Sequence, residues 1–200
     1  MIRTFAQTTI EEIADAATAP VINALTDEHH PCQALADLLT LRERFGRLEG
    51  LKVAFVGDFD NVATSLAEAA SLSGIDLVVG CPPGYAHDVA GATVVTDPFE
   101  AVRGAHAVYT DVWVSMGAEA ETAVRLHDLA PYQVTEAMMA AARPDAVFMH
   151  CLPAHRGQEV AAEVIDGPRS VVWQQAENRL ATEEAMLYAL IARTWELPAG

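Results

Sequence analysis

The stretch LKVAFVGDFDNVATSLAEAASLSGIDLVVG, residues 51–80, decides the fold of this chain. It opens with an almost unbroken apolar run at 51–56 and closes with a second one at 77–80. Helix-forming residues fill the interval 61–73 between them. Runs that are apolar on both faces are typical of parallel strands covered by helices on both sides. The stretch therefore predicts a strand–helix–strand unit of a parallel α/β sheet.

The same alternation of short apolar runs and helical segments continues on both sides of this unit. Further strands are predicted at 20–24, 93–96, 107–110, 146–149 and 170–173. Further helices are predicted at 9–17, 31–45, 98–103, 119–127, 135–142 and 176–195. Thr9 and Glu12 have the spacing of a capping box for the first helix. We expect an α/β fold in which helices flank a parallel sheet, with a domain junction at the RLEG segment before Leu51.

Composition restricts the classes of partner. The 200 residues include 12 basic and 28 acidic ones, which give a formal net charge of -16. Such a surface repels nucleic acid and anionic lipid, so we expect neither as a partner. The three cysteines, Cys32, Cys81 and Cys151, lie far apart without a CxxC motif, which disfavours a disulfide framework or a zinc site. No signal peptide and no apolar run long enough to span a bilayer are recognisable, so a cytoplasmic protein is expected.

The segment HHPCQ, residues 29–33, forms the mouth of the helix predicted at 31–45. Pro31 suits the first helical position, which places His30 at the N-cap, where Ser, Thr, Asp or Asn is normally found. Gln33 lies one turn further on. Because a helix N-terminus attracts anions and offers free N–H groups, His30 and Gln33 are candidates for ligand contacts. The alternative is an ordinary loop histidine beside a helix start.

Polar residues follow five of the predicted strands, at the ends where parallel sheets bind ligands. These segments are DEHHPCQ (27–33), GDFDN (57–61), DVWVSMG (111–117), HCLPAHRG (150–157) and QQAENR (174–179). Taken singly, each can be an ordinary turn, a small buried cysteine or a helix start. Because the carboxyl ends of parallel strands meet at one edge, the five segments together predict a single binding site.

The motifs HPCQ, DVWVSMG, HCLP and AENR, in this order, closely resemble the ornithine carbamoyltransferase family over residues 3 to about 193. Aspartate and putrescine carbamoyltransferases match less well at the SMG segment, and PAHRG after HCL resembles the bacterial anabolic enzymes. The resemblance implies transfer of the carbamoyl group of carbamoyl phosphate to the δ-amine of L-ornithine, which gives citrulline and phosphate in arginine biosynthesis. It implies no metal and no organic cofactor, and a family that assembles as trimers through its first domain.

By this resemblance, the carbamoyl-binding set consists of Arg3, His30 and Gln33, with Arg179 of AENR as a further contact to carbamoyl phosphate. All of these side chains can donate hydrogen bonds. Carbamoyl transfer builds negative charge on the carbonyl oxygen, and fixed donors stabilise such charge. The resemblance therefore explains the unusual His30 as a group that holds this oxygen, with helix capping secondary.

The resemblance also assigns the ornithine site. Asp111 matches the residue that holds the α-ammonium group, and the other ornithine contacts match Asn61, Ser115 and Met116. Cys151 and Leu152 match the pair beside the reacting δ-amine, where the family's cysteine accepts a proton. A thiolate at Cys151 would be favoured by nearby Arg and His side chains. His150 is interpreted as structural.

Three features depart from the family pattern. The family's Ser-Thr-Arg-Thr phosphate loop, which lies upstream of Arg3, is absent from the sequence, and only residues 86–92 stand where a further helix is usual. GDFDN also replaces the more usual Asn-Asn turn. We therefore expect a truncated carbamoyl-phosphate-binding domain (1–46), an ornithine-binding domain (47–179) and a terminal helix (180–200) that packs back on the first domain.

Little or no activity is expected of the 200 residues alone, because the phosphate dianion lacks its charge-assisted donors. The chain is then either a fragment of a longer product or a shortened relative that relies on association, and a trimer is doubtful. A non-catalytic amino-acid-binding or regulatory module is the alternative function, and a decayed remnant is a third reading.

Overall fold

The computed structural model describes residues 1–87, 89–114 and 119–192. The first part of the chain contains two short strands and two helices, of which the sequence predicted both helices and the second strand. They are β1 (Ile2–Arg3), α1 (Gln7–Ala16), β2 (Asn23–Leu25) and α2 (Pro31–Phe45). Strands β1 and β2 pair in parallel and form a small sheet of their own.

The second part of the chain builds the main sheet. Its elements are β3 (Lys52–Val56), α3 (Asn61–Ser73), β4 (Asp76–Gly80), β5 (Ala92–Val95), α4 (Pro98–Val102), β6 (Ala107–Thr110), α5 (Thr122–Leu129), α6 (Glu136–Ala141), β7 (Val147–His150), α7 (Ala162–Ile165) and α8 (Val172–Ile191). The five strands are all parallel and stand in the order β5-β4-β3-β6-β7. The chain adds β4 and β5 on one side of β3, and then crosses to add β6 and β7 on the other side. The boundary between β3 and β6 is therefore the switch point at which open parallel sheets bind ligands.

Both faces of the main sheet are buried, which explains the continuous apolar strands. Val53 and Phe55 lie in one buried cluster, which they share with Leu41 of α2. Ala54 and Val56 point to the opposite face and lie in the other buried cluster. Because successive strand residues alternate between faces, both sets must be apolar when helices cover both sides. The predicted parallel sheet flanked by helices is confirmed.

Two local predictions are wrong. Residues 170–173 do not form a strand: Ser170 makes one isolated bridge to Phe148, and α8 already begins at Val172. A short apolar run that includes β-branched residues does not distinguish a strand from a buried helix start. The capping box is also absent, because α1 begins at Gln7 and its first N–H donates to Asp27 at 3.0 Å. A residue distant in sequence therefore supplies the cap.

Helix α8 packs along α2. Asn178 donates to the Thr40 hydroxyl at 2.9 Å and to the Glu43 carboxylate at 2.8 Å, and Gln174 donates to Glu43 at 2.6 Å. The terminal helix thus reaches the first part of the chain from residue 174 onward, earlier than the expected 180, and its predicted end at 195 lies outside the described residues. Within the described ranges, no helix is both long and apolar enough to cross a membrane.

Candidate functional site

Polar side chains meet at the carboxyl edge of the main sheet. Strands β6 and β7 are neighbours with Thr110 opposite His150, so the residues that follow them come together. A carboxylate oxygen of Asp111, a ring nitrogen of His150 and the sulfur of Cys151 lie within 4.8 Å of one another. The prediction that DVW and HCLP share one edge is confirmed.

The surroundings of Cys151 are acidic. Burial raises the pKa of the Cys151 thiol well above its usual value, and the nearby carboxylates of Asp111, Asp60 and Asp37 raise it further. A thiolate would have to form in an apolar setting beside negative charge, which both effects oppose. The expectation of a thiolate favoured by Arg and His is therefore wrong, and Cys151 is a neutral thiol at pH 7.

The turn after β3 adds the partly buried carboxyl groups of Asp58 and Asp60 to this edge. Asp60 caps α3 by accepting hydrogen bonds from the N–H groups of Val62 and Ala63, at 2.9 and 3.1 Å. Burial raises the pKa of Asp60, and Asp111 and Asp58 raise it further. Simultaneous negative charge on these neighbouring carboxyl groups is therefore unfavourable, and a cationic ligand at this edge would offset their repulsion.

A cavity of about 460 Å³ opens beside this turn. Arg125 lines this cavity and forms an ion pair with Asp58. Its guanidinium carbon lies over the Tyr85 ring, 5.2 Å from the ring centroid. The sequence pattern gave no sign of Arg125, because its partners are 40 and 67 positions away (125 minus 85 and 125 minus 58).

Asn61 lies at the start of α3, but its amide is engaged within the chain. Its Nδ2 donates to the Thr26 carbonyl at 2.6 Å. The Ser65 hydroxyl, one turn further along α3, accepts from the His30 N–H at 2.7 Å. The two contacts hold the loop before α2 against α3. The predicted ornithine contacts Ser115 and Met116 lie outside the described residues.

His30 stands at the N-cap of α2, as predicted, and its side chain makes no capping hydrogen bond. Burial lowers the pKa of His30 to about 4, and the positive charges of Arg179 and Arg3 contribute. The imidazole is therefore neutral at pH 7, and among the described residues its Nδ1 has no hydrogen-bond partner. Arg3 itself is exposed at the end of β1.

Gln33 differs from the expectation that it donates to a substrate. It is 1% exposed, and its Nε2 donates to Asp37 at 2.9 Å. Its Oε1 is buried and has no partner in the part of the chain that the structure describes. The atom of Gln33 that lacks a partner is therefore an acceptor.

A second cavity, of about 560 Å³, brings the HCLP segment and α8 together. It is lined by Cys151, Leu152, Pro153, Ala176, Arg179, Leu180 and Glu183. Arg179 donates to Glu183 at 3.2 Å, while its buried Nε lacks a partner among the described residues. The predicted carbamoyl phosphate contact Arg179 and the predicted transfer pair Cys151 and Leu152 thus share one cavity.

The His150 side chain makes contacts that hold the HCLP segment in place. Its Nδ1 accepts from the Leu152 N–H at 2.9 Å, and its Nε2 lies 3.3 Å from the Glu159 carboxylate. The side chains of His150 and Glu159 are both fully buried. Leu152 has φ 56°, in the left-handed region that side chains other than glycine rarely adopt. The bond to His150 helps to hold this conformation, which agrees with the structural interpretation of His150.

The fold and the site together define an open parallel α/β protein that gathers polar side chains at the carboxyl edge of its sheet. The family model "Aspartate/ornithine carbamoyltransferase, Asp/Orn binding domain" matches residues 49–190, and the corresponding "carbamoyl-P binding domain" model matches residues 1–43. The chain belongs to the aspartate/ornithine carbamoyltransferase family.

Curated relatives support this membership. An ornithine carbamoyltransferase of Symbiobacterium thermophilum is 54% identical over 206 residues, which cover 96% of this chain and 66% of the relative. One of Gloeobacter violaceus is 52% identical over 204 residues, which cover 95% of this chain and 65% of the relative. The chain therefore spans about 65% of the length of these relatives.

Solved structures of enzymes with the same name share the fold. The ornithine carbamoyltransferase of Pyrococcus furiosus superposes with a TM-score of 0.90 at 45% identity, covering 97% of this chain and 66% of that one. The enzyme of Thermus thermophilus superposes with a TM-score of 0.87 at 50% identity, covering 94% of this chain and 64% of that one.

Proposed function

We propose that these residues form the ornithine site and part of the carbamoyl phosphate site of an ornithine carbamoyltransferase of arginine biosynthesis. The observation that carries the proposal is the meeting of Asp111 and Cys151 within 4.8 Å at the carboxyl edge of the sheet. Both residues stand at positions that match the family motifs, and the relatives of about 50% identity bear this name.

The acidic edge suits the amino acid substrate. In the proposed complex, Asp111 pairs with the α-ammonium group of ornithine. The carboxyl groups of Asp58 and Asp60 lie in the turn beside it, and a bound cation would offset the repulsion that raises the pKa of Asp60. Charge pairing inside a partly dry pocket is strong, because little water screens it. The δ-amine then extends toward Cys151 and Leu152.

The carbamoyl group is proposed to lie between α2 and α8. The neutral His30 and the guanidinium groups of Arg3 and Arg179 stabilise charge that develops on the carbonyl oxygen. The Oε1 atom of Gln33, which has no partner among the described residues, accepts from the carbamoyl NH2 group. The resemblance suggested Gln33 as a donor, and the hydrogen bond to Asp37 reverses that assignment.

The transfer step forms a C–N bond between the neutral δ-amine and the carbamoyl carbon and breaks the C–O bond to phosphate. The amine loses one proton, and the departing phosphate can accept it. The raised pKa of Cys151 leaves it protonated at pH 7, so a thiol there does not act as a ready base. Its proposed part is to pack beside the reacting amine.

A non-catalytic amino-acid-binding or regulatory module is the second candidate. It is favoured by the protonated thiol of Cys151, which leaves the ornithine edge without a ready base at that position. Both functions require ornithine binding, and only the enzyme produces citrulline. We therefore propose weak or no catalysis by the 200 residues alone.

The test is calorimetry of the unaltered chain with L-ornithine, L-aspartate and putrescine, followed by a citrulline assay with carbamoyl phosphate. We expect ornithine to bind and aspartate not to bind, because its second carboxylate meets an acidic edge. Citrulline formation that rises when a polypeptide carrying the family's phosphate loop is added favours the enzyme. Ornithine binding without citrulline under both conditions favours the module, and aspartate binding in preference to ornithine contradicts both.

A further inference from the structure

Asp37 of α2 is a fully buried carboxyl group to which neither the sequence motifs nor the proposed function gives a role. Its Oδ1 accepts two hydrogen bonds, from Nε2 of Gln33 at 2.9 Å and from Nε2 of Gln175 at 2.7 Å. Both glutamines are almost completely buried. Gln33 belongs to the proposed carbamoyl phosphate site, whereas Gln175 lies on α8.

The second amide connects Asp37 to the HCLP segment. Oε1 of Gln175 accepts from the His150 N–H at 2.9 Å, and Nδ1 of His150 accepts from the Leu152 N–H at 2.9 Å. A continuous series of hydrogen bonds therefore leads from Gln33 through Asp37, Gln175 and His150 to Leu152.

The chemistry of a carboxylate fixes how both amides are turned. An ionised carboxylate only accepts hydrogen bonds, so each glutamine must present its NH2 group to Asp37 and its oxygen elsewhere. For Gln175 the oxygen meets the His150 N–H, and for Gln33 it is buried and has no partner among the described residues. A reversed Gln175 amide would leave the buried His150 N–H unpaired, which is unfavourable.

We propose that Asp37 is a positioning residue that couples the two substrate sites, because it orients Gln33 and anchors the loop that carries Leu152. This inference rests on the proposed function. It adds that binding at the ornithine edge changes the position of the carbamoyl acceptor through the one side-chain oxygen of residue 37 to which both amides donate.

Asp37 can titrate near neutral pH. Burial raises the pKa of Asp37 to about 7, although the hydrogen bonds from Gln33 and Gln175, the nearby Tyr109 hydroxyl and the charge of Arg179 lower it. The charged or titratable groups that face it are Tyr109 of β6, Arg179 of α8 and Cys151 beyond β7. Protonation reduces the acceptor strength of the carboxyl group toward both amides.

The experiment follows the side-chain amide signals of Gln33 and Gln175 in nitrogen-15 NMR spectra, each assigned by its loss in a Gln→Leu variant. In the unaltered chain, both signals should shift together with one midpoint near neutral pH. In Asp37→Asn they should stop shifting with pH, because the amide oxygen still accepts but no longer titrates. Independent shifts, or shifts that persist in Asp37→Asn, would overturn the role of Asp37.

Ornithine is then added to test the coupling. It should move the Gln33 signal in the unaltered chain and in Asp37→Asn, but not in Gln175→Met, which keeps Asp37 and breaks the connection to His150. We expect ornithine affinity in Gln175→Met to fall by about tenfold.

Ornithine that binds without moving the Gln33 signal overturns the coupling alone. Ornithine that fails to bind the unaltered chain overturns the proposed function and the coupling with it, while the pH experiment still reports on Asp37.

Discussion

The carboxylate of Asp111 and the thiol of Cys151 face each other within 4.8 Å, although they follow different strands. The contact exists because β6 and β7 are adjacent and parallel, so that the residues after their last hydrogen-bonded pair must meet. A negative charge beside a buried sulfur disfavours the thiolate. The charge of Asp111, the proposed anchor for ornithine, therefore lowers the reactivity of the Cys151 thiol.

The first prediction concerns this reactivity. Cys151 should react slowly with iodoacetamide at pH 7, because the thiolate is the reactive form and the pKa of Cys151 is raised by burial and by Asp111. Asp111→Asn removes one of these effects and should speed alkylation severalfold. The measurement is the rate of mass increase, with Cys151→Ala as the control for Cys32 and Cys81, which are buried. Equal rates in the unaltered chain and in Asp111→Asn would contradict the electrostatic account.

The second prediction concerns His30. Its pKa of about 4 means that the ring is uncharged through the neutral range. The ring proton signal of His30 in NMR spectra should therefore stay constant between about pH 6 and 8, where an ordinary histidine changes its charge. Arg179→Met should raise the pKa of His30, because a nearby positive charge is removed. A His30 signal that titrates near pH 6.5 in the unaltered chain would show that the imidazole is not held neutral.

The third prediction concerns stability and Asp37. Its pKa rises from 3.8 in the unfolded chain to about 7 in the folded one, so the folded state binds the proton more tightly. The corresponding stabilisation is present below about pH 4 and is lost as the pH rises through about 7. The side chain of Asn does not titrate. The free energy of unfolding of Asp37→Asn minus that of the unaltered chain should therefore increase by on the order of 4 kcal/mol as the pH rises from about 4 to about 7.

Urea unfolding at several pH values between about 4 and 8 measures this difference. The comparison of two chains cancels the titration of all other groups, provided that both fold. A difference in the free energy of unfolding that stays constant with pH would contradict the buried, titrating Asp37.

The sequence predicted helix bounds best where short-range signals act alone. Helix α2 runs from Pro31 to Phe45, as predicted from Pro31 at its start and Gly46 at its end, where Gly46 has φ 72°. Helix α3 also has its predicted bounds, between the Asp60 cap and Gly74. The strand predicted at 170–173 is absent because Val171 and Val172 are apolar for burial at the start of α8, and not for strand pairing.

The candidate site was predictable in its location but not in its electrostatics. The edge where Asp111 and Cys151 meet follows from strand order alone, which parallel folds restrict. The direction of the pKa shift at Cys151, the buried Glu159 and the role of Asp37 depend on contacts between distant segments. Asp37 and Gln175, for example, are 138 positions apart, and no local pattern encodes their pairing.

The central claim is that Asp111 anchors the ornithine α-ammonium group, and calorimetric titration with L-ornithine tests it most directly. The unaltered chain should bind, and Asp111→Asn should lose roughly 2–5 kcal/mol of binding free energy, because the ammonium group loses its counter-charge. Asp76→Asn is the matched control, since Asp76 begins β4 at the opposite edge of the sheet and is exposed. It should bind like the unaltered chain. Equal ornithine affinity in Asp111→Asn and Asp76→Asn, or no binding by the unaltered chain, would contradict the account.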